Sequence, residues 1–201
     1  MSSSLDRTVI PDGYVQVGEE QGGMTTKRDK LITWCVLFLA LGVAFRLERI
    51  LFPADIRTGL LYFVLCLSVL ILILILHELF HFISFKIVGL SPKIVYVRVP
   101  GYGGCPGVMP KLGRYMKRSE YITCLITPQI MTVAGIVWLV YYLLATSPTT
   151  IHILVFWAIV LNFLGGVADL KSLVFVLRKH TRQTIYVGKT ILSTLVYDKV
   201  K

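Results

Sequence analysis

Charge is scarce in this 201-residue chain, and acidic charge is the scarcer kind. Asp and Glu number 11 against 21 Lys and Arg, and the four types together make up 16% of residues. A soluble domain carries about 25%, so an ordinary soluble fold is excluded. Cysteine is equally sparing: Cys35, Cys66, Cys105 and Cys124 show no CxxC or other paired spacing, which argues against disulfides and thiolate metal sites. A short basic start followed by an early apolar stretch is also missing, since the first 30 residues are polar. No cleaved signal peptide is expected, and the first apolar segment would serve as an uncleaved insertion signal.

What the chain has is apolar length. Hydrophobic residues reach 55% and the mean hydropathy is +0.73. Four segments approach the roughly 20 apolar residues that cross a bilayer: 31–45, 59–85, 121–144 and 150–170, the first of them short. They predict an all-α membrane protein of four transmembrane helices. The loop between the second and third holds "KIVYVRV" (93–99), whose alternation and β-branching read as a strand or short β hairpin. Three parts follow: a polar, flexible tail (1–30), a membrane domain (31–170) and a basic tail (171–201). Pro128, inside the third segment, is expected to kink it or leave a carbonyl free. Gly165-Gly166 marks a weak point in the fourth.

The net charge of +10 is a matter of topology. With four spans, the two tails and the central loop share one face and hold 18 of the 21 basic residues. The positive-inside rule makes that face cytoplasmic. Both termini would then be cytoplasmic in a multi-pass protein of the bacterial plasma membrane. Contact with anionic lipid accounts for the basic runs, and no nucleic-acid partner is called for. Oligomeric state is not legible.

Of the acidic residues, only Glu78 and Asp169 fall well inside apolar segments. An ionisable group at bilayer depth costs about 2.5–3.5 kcal/mol, which makes each a functional candidate. Glu78 lies in His77-Glu78-Leu79-Phe80-His81, an HExxH motif. Residues four apart share one helix face with Cβ atoms about 5–6 Å apart, so His77 and His81 can reach one Zn²⁺. Glu78, rotated by about 100°, stands beside the metal as a general base toward water. Two alternatives stand beside this. The histidines could be polar glue between helices, bonded to Asn162. Haem would need its axial histidines on opposite faces, which one helical turn cannot provide.

A catalytic zinc commonly takes three protein ligands, and Asp169 is the candidate for the third. His77 lies 18 residues into the second segment and Asp169 lies 19 into the fourth, counted from Gly59 and Thr150. Both segments run the same way, so the two residues reach similar depth. Pairing of Asp169 with a cation such as Lys171 is the plainer alternative. Asn162, two turns before Asp169, could hydrogen-bond substrate backbone or a developing oxyanion.

At these residues the chain resembles the site-2-protease class of intramembrane zinc metalloproteases. There an HExxH helix meets an Asp from a later helix that carries an upstream Asn. The matching stretch here is "NFLGGVADL", with glycines where prolines are usual and Leu170 where glycine follows the Asp. A closer resemblance covers most of the chain. "IPDGY", "HELFHFISFKIVGL", "TPQI" and "NFLGGVADL" are similar to a small four-helix family of bacterial zincin membrane peptidases. The resemblance implies zinc ligands at His77, His81 and Asp169 and a base at Glu78.

The function expected is a zinc endopeptidase acting on a membrane protein or membrane-associated peptide near the cytoplasmic face. The substrate would present an extended backbone, which the strand at 93–99 could pair with. A non-catalytic metal-binding scaffold or regulator is the alternative, and a transporter a more distant one.

Overall fold

The computed structural model describes residues 9–21, 31, 35, 38, 39, 42, 46, 56–99, 103–110, 114–145, 150–190 and 193–200. Five helices with described bounds and six strands make an α/β fold. In chain order they are β1 (Tyr14–Gln21), α1 (Ile56–Ile87), β2 (Pro92–Val99), β3 (Gly103–Pro110), β4 (Met116–Lys117), α2 (Arg118–Ile126), α3 (Gln129–Ala145), α4 (Thr150–Gly165), α5 (Val167–Lys179), β5 (Ile185–Thr190) and β6 (Ser193–Lys199).

This corrects the expected all-α fold with four transmembrane helices. Among the described residues, only Leu67–Ile87 within α1 is by itself long and apolar enough to cross a membrane. The third and fourth segments are each broken. Arg118–Ile126 with Gln129–Ala145, and Ile151–Gly165 with Val167–Lys179, qualify only as pairs bent by more than 40°, for one candidate span or at most three. The first expected segment, 31–45, lies mostly outside the described residues.

Residues 14–21 and 185–199, with the short β4, form the larger sheet. β1 pairs antiparallel with β6, from Tyr14 opposite Lys199 to Gln21 opposite Ser193. The sheet order is β1-β6-β5-β4. A hydropathy window does not see β1, because it becomes a strand by pairing with residues remote in sequence. The strand expected at 93–99 is present as β2, paired in register with β3 from Pro92 opposite Pro110 to Val99 opposite Gly103.

The chain divides into two compact units. The first comprises residues 1–23, 78–127 and 168–201. In its core Phe85 from the end of α1, Leu90 just beyond it, Tyr121 and Cys124 from α2, Val176 from α5 and Tyr186 from β5 pack together. The second comprises 24–77 and 128–167, and in it α3 lies along α4. Apolar side chains such as Val137 and Leu144 on α3 are exposed, a surface suited to an apolar surrounding.

α1 ends in a Schellman motif. Leu90 N–H donates to Phe85 O (2.8 Å) and Gly89 N–H to Lys86 O (3.0 Å). Gly89 takes φ +75°, the left-handed conformation that glycine enters without a Cβ clash. Arg114 then donates to Val88 O (2.9 Å) and, through its other terminal nitrogen, to Glu120 Oε1 (2.6 Å). The helix that carries the HExxH motif is thereby stopped and tied to the start of α2.

Candidate metal centre

His77, Glu78 and His81 lie in the last third of α1. The division between the units falls inside this unbroken helix, so the spacing of the two histidines is the spacing of one helical turn.

Each imidazole is oriented by its Nδ1. Asn162 is 1% exposed, and its Nδ2 donates to Pro128 O (3.0 Å) and Thr132 Oγ1 (2.7 Å). A carbonyl can only accept, so the amide orientation is settled and Oδ1 faces His77 at 3.0 Å. His77 must therefore donate from Nδ1. His81 does the same toward Cys124 O at 3.1 Å. In both rings Nδ1 carries a proton, so the lone pair of the neutral imidazole falls on Nε2, the tautomer a metal ligand requires.

The Cys124 carbonyl is available for a reason written in the sequence. In a continuous helix it would accept from the N–H of residue 128, four positions on. Residue 128 is proline and has none. The break between α2 and α3 thus supplies the acceptor that holds His81.

Asp169 is positioned by a second break. α4 ends at Gly165 and α5 begins at Val167, which puts Asp169 in the first turn of α5. There a carboxylate faces the positive end of the helix dipole. A Cβ at Gly166 would run into the side-chain amide of Gln129, so a larger residue at the break would have to displace that side chain. Asp169 Oδ2 stands 3.2 Å from His81 Nε2. One turn further along α5, Ser172 bonds the buried carboxyl of Glu20, which Tyr121 also meets at 3.3 Å. Burial pushes the Glu20 carboxyl above the ordinary carboxylate range, against the opposing pull of these hydrogen bonds and of Lys171.

Glu78 accepts a hydrogen bond from the main-chain N–H of Val108 in β3 (2.7 Å). Sequence reasoning missed this donor, because a backbone amide leaves no trace in residue identity. It also missed Thr132 and the partner role of Cys124, although Pro128 signalled a freed carbonyl. The remaining two histidines are occupied elsewhere. His152 sits beside the rings of Trp138 and Tyr142, and His180 Nδ1 lies 2.6 Å from the Tyr186 hydroxyl.

One potential ligand atom each from His77, His81 and Asp169 lie within 4.8 Å of one another. The donor chemistry fits a metal ion. With Nδ1 of His81 committed to Cys124 O, its Nε2 lone pair and the Asp169 carboxylate are two acceptors face to face. Only a cation satisfies both, either a further proton or a metal. Two imidazoles one turn apart plus a carboxylate form the donor set of a zinc metallopeptidase. Residues 70–185, more than half of the chain, match the family model described as "Putative zincin peptidase", and the chain belongs to that family of zinc peptidases. No curated protein and no solved structure matches it.

Proposed function

We propose that this zinc peptidase is an endopeptidase of the site-2-protease type, cutting a membrane protein or membrane-associated peptide near the cytoplasmic face of the bacterial plasma membrane. His77, His81 and Asp169 would hold the metal. Zinc bound there supplies Lewis-acid polarisation of the scissile carbonyl and acidifies water. Glu78 takes the proton of the attacking water and returns it to the leaving amine. Asn162, enclosed by His77, Pro128 and Thr132, acts in this reading by orienting His77 and not by touching substrate.

The observation that most supports the reading is the matched tautomers: a buried Nδ1–H bond at His77 and a half-buried one at His81 put the lone pair of each neutral ring on Nε2, one turn apart on α1. Depth supports the location. His77 is ten residues before the end of α1, about 15 Å along the axis, and the basic loop and tails favour that end for the cytoplasm.

Glu78→Gln tests the function. Purified wild type should bind zinc near one per chain and hydrolyse membrane-tethered extended peptides. The variant should keep the zinc and lose at least 100-fold of the hydrolysis. Equal hydrolysis by both proteins would refute Glu78 as the base, and absence of zinc in both would refute the metal site.

A further inference from the structure

The carboxylate of Glu78 is held by the edge of a strand whose chemistry is unusual. We propose that the main-chain N–H of Val108 is a positioning group for Glu78, reserved for it by the two prolines that flank it along β3. The inference rests on the reading of Glu78 as the base.

Val108 is buried and stands opposite Ile94 in the β2–β3 ladder. Its N–H goes to Glu78 Oε2 at 2.7 Å and so points away from β2. Along a strand, alternate residues direct their backbone groups to the same edge. The positions that share this edge with Val108 on either side are 106 and 110, and both are proline. Proline has no N–H and is confined to outward edges of sheets. The edge that meets Glu78 therefore offers one donor across five residues.

Two consequences follow. The carboxylate cannot slip to a neighbouring amide, so one of its oxygens is fixed in direction by a main-chain group that is itself paired into a hairpin. A charge-assisted bond of this length is also among the stronger kinds, roughly twice a neutral one. General-base catalysis needs the acceptor oxygen placed to within hydrogen-bond reach of its proton. A backbone donor does that with no rotamer freedom of its own. The same prolines deny an incoming peptide the regular donor ladder on this edge, so β3 braces the base and is not a docking strand.

Amide hydrogen exchange with single-residue resolution, on full-length zinc-loaded protein, tests the contact without any substrate. The Val108 amide should exchange slowly in the wild type and about tenfold or more faster in Glu78→Ala, the factor for a lost bond of about 1.4 kcal/mol. Glu78→Gln keeps an acceptor oxygen and should stay close to wild type. An unchanged Val108 rate in Glu78→Ala overturns the proposal. Val108→Pro deletes the N–H, whereas Val108→Ala removes only side chain. Zinc should be retained in both, with hydrolysis impaired about tenfold or more beyond any loss in Val108→Ala when the N–H is deleted. Loss of zinc from a folded Val108→Pro protein would mean that the amide supports the ligands and not the base, and would also overturn it. Wild-type protein that binds no zinc strikes at the peptidase reading and leaves the exchange result standing.

Discussion

The ring of Tyr121 stacks on that of Tyr186 with centroids 4.4 Å apart, joining α2 to the middle of the four-stranded sheet. Tyr186 is completely buried, and its hydroxyl meets His180. Removing the ring should cost about 3–5 kcal/mol. Tyr186→Phe should cost about 1 kcal/mol for the lost hydrogen bond. Thermal unfolding in detergent separates the two, and near-equal melting temperatures for both variants would show that the stack carries little.

Pro128→Ala introduces an N–H four residues after Cys124. That N–H can claim the Cys124 carbonyl and straighten the junction of α2 and α3. His81 would then lose the acceptor that sets its tautomer. Losing an outer partner of this kind costs about 10–100-fold in metal affinity. Zinc titration should therefore show weaker binding in Pro128→Ala, although every ligand is intact. Wild-type affinity would mean that His81 is oriented by something else.

Glu20 sets a pH dependence. Its carboxyl is raised above 4.5, first because it is buried, while Ser172, Tyr121 and Lys171 partly oppose the shift. With the folded value above the unfolded one, the folded state holds the proton more tightly. Stability from this group is thus greatest below the unfolded value and falls as pH rises through the folded one. Glu20→Gln keeps an oxygen for Tyr121 and has no charge to desolvate. It should melt higher than wild type at pH 8, with the difference shrinking toward pH 4.5. A constant difference across that range would show that the burial of charge at Glu20 does not govern it.

The centre was legible in sequence to the extent that its logic is local. HExxH spacing is helical arithmetic within five residues, and the first part of α1 shows itself as an apolar run from Leu60 to Leu76 broken only by Ser68. Asp169 stands out as one of two acidic residues well inside apolar segments. Pro128 announced a broken helix and a freed carbonyl. What failed was non-local. "TVIPDGYVQV" reads as a turn between β-branched residues, yet its strand is completed by residues 193–199. The Val108 donor depends on which edge of a hairpin faces α1, a property no residue type encodes. The bends at residues 127–128 and 166 fall where Pro128 and Gly165-Gly166 mark weak points, but a hydropathy average passes over them and misses their effect on the count of spans.

The pairing of β1 with β6 also bears on how the molecule is made. β1 is synthesised before β6, its one partner strand among the described residues, which appears more than 170 residues later. Translation proceeds at about 5–20 residues per second, so β1 waits roughly ten seconds or longer with its hydrogen-bonding edge unclaimed. The sheet that carries Glu20, and with it the support beneath the first turns of α5, closes only after residues 193–199 have been made. A nascent peptidase of this design has its sequence motif early and its finished scaffold late.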